Sequence, residues 1–469
     1  MDKYINPLES RYSSKEMLYI FSPKFKYTTW RKLWYNLALT QKELGVDIKQ
    51  EQLDKLYKHI ENIKFEVVEK YEEKFKHEVM AHLYAYADLV GDDARKILHL
   101  GVTSAFLMDN TDLIQIKEAL LLIKNKLKII IKTLNNFSIK HKNLAILAYT
   151  HLQEAQLTTL GKRSSLWLQS LIFDFKELNF ILSNLCFRGV KGTVGNQSSF
   201  KELLSSNLLS SNFERVKNLD ISVAKKMGFS KVYKITSQTY DRKLDSSILN
   251  FLSNLSQSAH KITNDIRFMQ HLKEIEEHFE EKQIGSSAMP YKRNPIHSER
   301  VASLAKFIMS LQTSGGFIAA TQWLERTLDD SACKRLNIPQ VFLAADAILI
   351  LLNKIFSNIR VNEKIIEQHV KIEMPFILTE DILMKATKNG GDRHILHEKI
   401  RTYSMQVREN IYLGKHENDL IKLILNDESF RLTPKDISEL LSPNENIGFA
   451  PSQVEDFIQE IVIPILKET

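Results

Sequence analysis

Residues that stop or turn a chain are scarce here. The 469 residues include 15 glycines and 10 prolines, where average usage would give roughly 33 and roughly 23. A chain short of both builds long elements joined by few connections. Apolar residues recur at helical spacing, as in Leu113, Ile116, Leu120, Ile123 and Leu127, which marks one face of a helix. Helical segments are predicted around 27–45, 50–63 and 64–90. Another begins at Asp109-Asn-Thr-Asp112, whose short polar side chains suit free amides at a helix start, and runs to about Lys140. Further long helices are predicted over roughly 152–186, 244–280, 296–314 and 337–357. These carry apolar residues on more than one face, the mark of a helix buried on several sides. The predicted fold is all-α, with a central long-helix bundle extended by oligomerisation.

Length calls for about two or three domains. The expected division is an N-terminal helical domain over 1–102, the central bundle over 103–360 and a C-terminal helical domain over 361–469. The last has shorter helical segments, the pair Gly390-Gly391, and Pro434, Pro443 and Pro451. Net charge is +7, from 64 basic and 57 acidic residues. Both signs alternate along the chain, without the basic stripe a nucleic-acid binder needs, so no nucleic-acid partner is expected. Cys186 and Cys333 stand far apart and read as reduced intracellular thiols. The most apolar stretches are interrupted by Lys124 and Lys126 or by Asp346 and Lys354. No membrane span is therefore predicted. The start of the chain shows no apolar signal region, and a cytoplasmic location is expected.

Polar islands interrupt the helical pattern. The most informative is Gly285-Ser-Ser-Ala-Met-Pro-Tyr-Lys-Arg-Asn-Pro295. Proline cannot continue a helix, and a polar loop between long helices is more often a substrate clamp than a spacer. Others are Gly101-Val-Thr-Ser104, Tyr149-Thr-His-Leu-Gln153, Ile235-Thr-Ser-Gln-Thr-Tyr-Asp-Arg242 and Trp323 to Arg335. In the last, Ser331 and Arg335 share a helical face and Arg326 lies about a turn earlier. Two guanidiniums and a hydroxyl would suit a phosphate; read alone, the segment fits better a solvated helix with internal Asp–Arg pairs. His151 is a candidate general acid, though a single histidine among 14 is a weak signal. His77 and His82 lack the spacing of a zinc-protease pair, so no metal or other cofactor is expected. Gly189, Gly192 and Gly195 follow no predicted strand and read as a tight turn rather than a dinucleotide site.

Taken in order, the islands resemble the three characteristic regions of the fumarase/aspartase superfamily. The resemblance extends almost end to end to its adenylosuccinate lyase family, animal-type branch. It is carried by Ser10-Arg-Tyr, Thr29-Trp-Arg, Val79-Met-Ala-His, His99-Leu-Gly-Val-Thr-Ser, Asp109-Asn-Thr-Asp-Leu, Gln156 to Arg163, Arg188-Gly-Val-Lys-Gly-Thr, Gln283 to Asn294 and Glu325-Arg-Thr-Leu-Asp-Asp-Ser. That family cleaves adenylosuccinate to AMP and fumarate, and the succinocarboxamide ribotide (SAICAR) to AICAR and fumarate, in purine nucleotide biosynthesis.

The resemblance implies roles for particular residues. Ser286 corresponds to the base, His151 to the acid that protonates the leaving nitrogen, with Thr150 beside it as a substrate contact and Glu299 orienting the ring. Lys292 and Asn294 would hold the carboxylate where charge develops, and Thr103 and Ser104 other carboxylate oxygens. His77 would assist near the phosphate, flanked by Lys76 and Glu78 as substrate contacts. Gln238 and Arg300 would also touch substrate, and Arg11, Tyr12, Arg326, Ser331 and Arg335 would form the nucleotide and phosphate site. The family's homotetramer draws each active site from three subunits. Two positions depart from its pattern: Lys76-His77-Glu78 replaces Arg-His-Asp, and Glu154 replaces a proline after Gln153. The rival readings are another superfamily member such as argininosuccinate lyase, against which Arg326 and Arg335 argue, and a non-catalytic helical scaffold.

Overall fold

The computed structural model describes residues 2–205, 212–279, 284–285, 287–415, 418–441 and 446–467. The chain divides into two compact units. One comprises Met1–Leu127, Asp174–His260 and Val301–Ile350; the other comprises Lys128–Phe173, Lys261–Arg300 and Leu351–Thr469.

In the first unit, helix α1 (Pro23–Glu43) opens with Ser22, whose side chain accepts from the Phe25 amide, and with Pro23 in the first helical position. A proline there loses no helical hydrogen bond. Trp30, Leu33, Trp34 and Leu37 of α1 join Tyr86 of α2 (Glu78–Arg95) in a core with Phe106, Phe187, Phe200, Leu219 and Tyr240. Buried Arg31 donates to the carbonyls of His59 and Asn62, each at 2.6 Å, and lies 4.5 Å from the Tyr86 ring.

Helix α3 (Ser104–Lys140) has 37 residues. Leu113, Leu120, Ile123 and Leu127 are fully buried along it, as their spacing predicts. Its start is Ser104, not the predicted Asp109. The Asp109 carboxylate is buried and accepts from Arg242 at 3.0 and 3.2 Å and from the Tyr240 amide at 2.9 Å. The polar cluster read as a cap thus lies inside the helix, where a paired carboxylate replaces the water it has lost.

The helix expected over 152–186 is a strand pair followed by a shorter helix. Strands β1 (Ala145–Thr150) and β2 (Gln153–Thr159) run antiparallel, with Thr150 opposite Gln153. His151 and Leu152 form the two-residue turn, at φ 54° and 59°. Such a turn needs the left-handed conformation at both central positions. Helix α4 (Leu160–Asn184) follows directly. At Gly161 a Cβ would lie 2.5 Å from the Ser138 carbonyl oxygen, so only glycine permits this approach.

Further long helices are α5 (Lys243–His271), α6 (Ile296–Leu311) and α7 (Asp330–Asn358). Helix α7 modifies one expectation: it is long and apolar enough to cross a membrane, but 67% of its most apolar window is buried within the protein. In the second unit β3 (Ile275–Glu276) pairs with β4 (Arg360–Val361), and the helix Glu363–Ile377 packs on β1 and β2. The all-α class holds, with two short strand pairs among the described residues.

Asp174 on α4 yields a pH prediction. Burial pushes its carboxyl up to about 7, against a hydrogen bond from Ser258, and its Oδ2 has no hydrogen-bond partner among the described residues. Because the folded value exceeds the unfolded one of roughly 3.9, the folded state holds the proton longer. Stability from this group falls as pH rises through that interval. Asp174→Asn should raise the unfolding temperature at about pH 8 and change it little at about pH 4. Calorimetry at both pH values checks this.

Candidate active site

In the first unit a cavity of about 240 Å³ is lined by Lys26, Arg242, Arg326, Lys334, Arg335 and Ser331, together with Asp109, Asp112 and Asp330. Asp330 opens α7, and its carboxylate accepts from Arg326 at 3.3 Å and from Arg242 Nε at 2.7 Å. Arg242 also grips Asp109, so a buried chain of alternating charge backs the Arg326 guanidinium. Lys334 Nζ lies 3.1 Å from Asp112 and 3.0 Å from the Tyr240 hydroxyl. Both readings of this segment are thus present: an internal Asp–Arg pair, and Arg326, Ser331 and Arg335 on one cavity.

Glu78, at the start of α2, ties that wall together. Its Oε1 accepts from Lys26 at 2.6 Å and the Tyr27 hydroxyl at 2.9 Å; its Oε2 accepts from Arg335 at 2.7 Å. Burial pushes its carboxyl up, but Lys26, Arg335 and Tyr27 outweigh burial and hold it at about 2. His77 caps α2, its Nδ1 accepting from the Met80 amide at 3.4 Å. In a neutral ring that bond assigns the proton to Nε2, which lies 3.4 Å from Ser104 Oγ. Ser104 opens α3, whose first amides and dipole favour an anion. Beside it, Thr103 Oγ1 is buried without a hydrogen-bond partner among the described residues. Lys76 precedes His77 in the left-handed conformation, φ 52°.

Gln238 is fixed beside the Arg326 segment, its amide donating to the Glu325 carbonyl at 3.2 Å and its side chain to the Thr193 carbonyl at 2.8 Å. Arg11 and Tyr12 end a π-helical turn, Leu8–Tyr12, with the guanidinium 6.0 Å from the ring. They do not line the cavity; Ser13 and Ser14 anchor their segment to Leu343 and Asp346 of α7.

In the second unit the 285–295 loop closes on itself. Asn294 donates to the Gly285 carbonyl at 3.0 Å, and a Cβ at Gly285 would lie 2.1 Å from the Lys292 carbonyl oxygen. Glycine is required there by close approach. Ser286 lies outside the described residues. Lys292 is exposed. After the loop, buried Glu277 accepts from the His297 and Ser298 amides at 3.0 and 2.7 Å and so caps α6. Glu299 in that first turn is exposed and Arg300 half-buried. His151 stands exposed at the hairpin tip, with Thr150 ending β1. Among the described residues no hydrogen bond joins His151 to Glu299, and no group of three His, Cys, Asp or Glu is placed to hold a metal ion.

Comparison with known proteins gives the family. A family model described as lyase matches residues 30–310, and one described as adenylosuccinate lyase C-terminus matches 375–457. The adenylosuccinate lyase of Saccharomyces cerevisiae is 43% identical over 464 residues, covering 98% of this chain and 95% of that protein. The chain belongs to the adenylosuccinate lyase family. The Schistosoma mansoni adenylosuccinate lyase is 42% identical over 467 residues, covering 99% and 96%. The family fold is shared with a fumarate lyase from Mesorhizobium, at TM-score 0.81 and 19% identity, covering 98% of this chain and 100% of the other. In this adenylosuccinate lyase family member, sequence reasoning missed Lys26, Tyr27, Asp109, Arg242, Asp330 and Lys334 as parts of the cavity region. Arg242, Asp330 and Lys334 had a signal, since each is a charge inside a polar island, and Asp109 stood in the polar cluster read as a helix start. Lys26 and Tyr27 had none, being ordinary residues near the start of a regular helix.

Proposed function

We propose that the protein cleaves adenylosuccinate to AMP and fumarate, and SAICAR to AICAR and fumarate, by acid–base β-elimination. The observation that carries this reading is the shared cavity of Arg326, Ser331 and Arg335, a set suited to a phosphate monoester, in a chain of this family. Ser286 would remove the proton from the carbon next to a carboxylate, leaving a doubly charged aci-carboxylate. An alcohol does this only if nearby cations and amide donors lower its pKa. Lys292 and Asn294 would stabilise that charge. Thr103 and Ser104, at the positive end of α3, would hold carboxylate oxygens, and the unpartnered Thr103 hydroxyl supports this role. As the carbon–nitrogen bond breaks, His151 would give the nitrogen its proton, with Thr150 beside it and Glu299 orienting the ring.

Arg11, Tyr12, Lys76, Gln238 and Arg300 would contact the nucleotide, Glu78 would set the cations of its phosphate wall, and His77 would assist the chemistry from the phosphate side. We further propose a cytoplasmic homotetramer of three-domain subunits, divided at about 102 and 360, with each site drawn from three subunits. Exposed Leu166, Phe173 and Phe180, spaced at seven residues on α4, support association; Phe173 is 63% and Phe180 69% exposed. A helix alone would leave such a stripe in water only at a cost. Pairing of His151 with Glu299 would then occur between copies.

The test is a parallel assay of purified protein with adenylosuccinate, SAICAR and argininosuccinate, reading fumarate. Fumarate is expected from the first two and not the third. Release from argininosuccinate, or none from adenylosuccinate by a folded oligomer, contradicts the proposal.

A further inference from the structure

We propose that Lys26 is an additional ligand of the substrate phosphate, held in position by Glu78 and Tyr27; the inference rests on the lyase reading above. Lys26 lines the same cavity as Arg326, Ser331 and Arg335. The cavity's cations are not equally compensated. Arg242 is held by Asp109 and Asp330, Arg326 by Asp330, and Lys334 by Asp112 and Asp245. Lys26 and Arg335 instead share one carboxylate, Glu78. Positive charge is therefore in excess on this wall. The first turn of the 29-residue helix α7, which carries Ser331, adds the positive end of its dipole to the cavity.

The Lys26 side chain is 23% exposed, sheltered but open to the cavity, and its ammonium lies 5.2 and 5.1 Å from the Tyr27 and Trp30 rings. These faces favour a cation and limit where the flexible stem can go. The Tyr27 hydroxyl gives Glu78 a neutral donor on the oxygen that also accepts from Lys26. When a phosphate draws the ammonium away, that carboxylate oxygen keeps a partner. A lysine ammonium is a compact point charge with three donors, suited to sharing itself between a carboxylate and a phosphate. Glu78 and Tyr27 act here as positioning residues, and Lys26 as the group that meets the ligand.

The test uses full-length wild type, Lys26→Met, Lys26→Arg and, as a control, Lys24→Met; Lys24 is exposed and donates to the Glu61 carbonyl at 3.0 Å. Calorimetric titration with inorganic phosphate, AMP and adenosine is paired with steady-state cleavage of adenylosuccinate. Lys26→Met should weaken phosphate and AMP binding by about tenfold or more, the scale of a charge-assisted hydrogen bond. KM should rise in parallel with little change in kcat, adenosine binding should not move, and Lys26→Arg should recover most of the loss. Unchanged AMP affinity in Lys26→Met, or equal losses for AMP and adenosine, would overturn the assignment. Wild-type protein that binds phosphate through Lys26 but releases no fumarate would uphold the anion ligand and reject the lyase reading.

Discussion

Replacing His151 with alanine should lower kcat for fumarate release by about a hundredfold to ten-thousandfold, the range for loss of a positioned general acid. The fold should survive, because the side chain is exposed at the tip of a hairpin and supports no core. Its backbone is the complication: φ is 54° and that of Leu152 is 59°. Asparagine tolerates this conformation better than alanine, so His151→Asn separates chemistry from turn geometry. Both variants should bind AMP as the wild type does and show equal loss of turnover. If His151→Asn kept near wild-type turnover while His151→Ala lost it, the histidine would be a turn residue and not the acid. Two adjacent left-handed residues, neither of them glycine, cost energy that a site of function can justify.

The second large effect is on stability. Arg242→Met should destabilise the protein by about 3–5 kcal/mol, because it leaves the buried Asp109 and Asp330 carboxylates without their shared cation. Arg242 and both partners are 2–5% exposed. The contrast is Arg95→Met: Arg95 pairs with Asp92 at 3.2 Å, but their side chains are 49% and 94% exposed. That pair is worth less than about 1 kcal/mol. Urea unfolding of both variants at one protein concentration measures the difference. Equal, small shifts would mean that the Asp109–Arg242–Asp330 chain does not hold the cavity wall.

How much of this could be read from the sequence depends on whether the determinant is local. Helices such as α3 were legible because buried residues such as Leu113, Leu120 and Leu127 repeat at helical spacing, but the helix expected over 64–90 breaks at left-handed Lys76 into Phe65–Phe75 and Glu78–Arg95. The end of α3 at Lys140 was legible for the same reason. Its start was not. An aspartate before an apolar run looks like a cap, whereas Asp109 is committed to Arg242, which is distant in sequence. The β1–β2 pair was missed because its turn is His-Leu rather than a glycine or asparagine pair, and because β2 runs directly into α4. The 285–295 loop stood out since its glycine and prolines break a helical pattern. The cavity behind Arg326 did not, because Lys26, Glu78 and Arg335 meet from separate helices.

Departures from the family pattern have a partial physical account. Glu78 stands where the resemblance implies aspartate, and its side chain reaches Lys26, Tyr27 and Arg335 together. Glu154 stands where the resemblance implies proline and opposes Tyr149 in the strand pair. Glutamate brings the backbone amide that proline lacks, and the hairpin forms with it in place.

The central claim is that the His151 hairpin and the Ser286 loop serve one fumarate-releasing site built from several copies of the chain. The most direct measurement is fumarate release from adenylosuccinate by oligomers co-assembled from Ser286→Ala and His151→Ala chains, with each variant and the wild type alongside. The account predicts an active wild type, two inactive variants and restored activity in the mixture, because some sites then draw both intact residues from different chains. A silent wild type, or a mixture as inactive as its parents despite verified hybrid assembly, would contradict it.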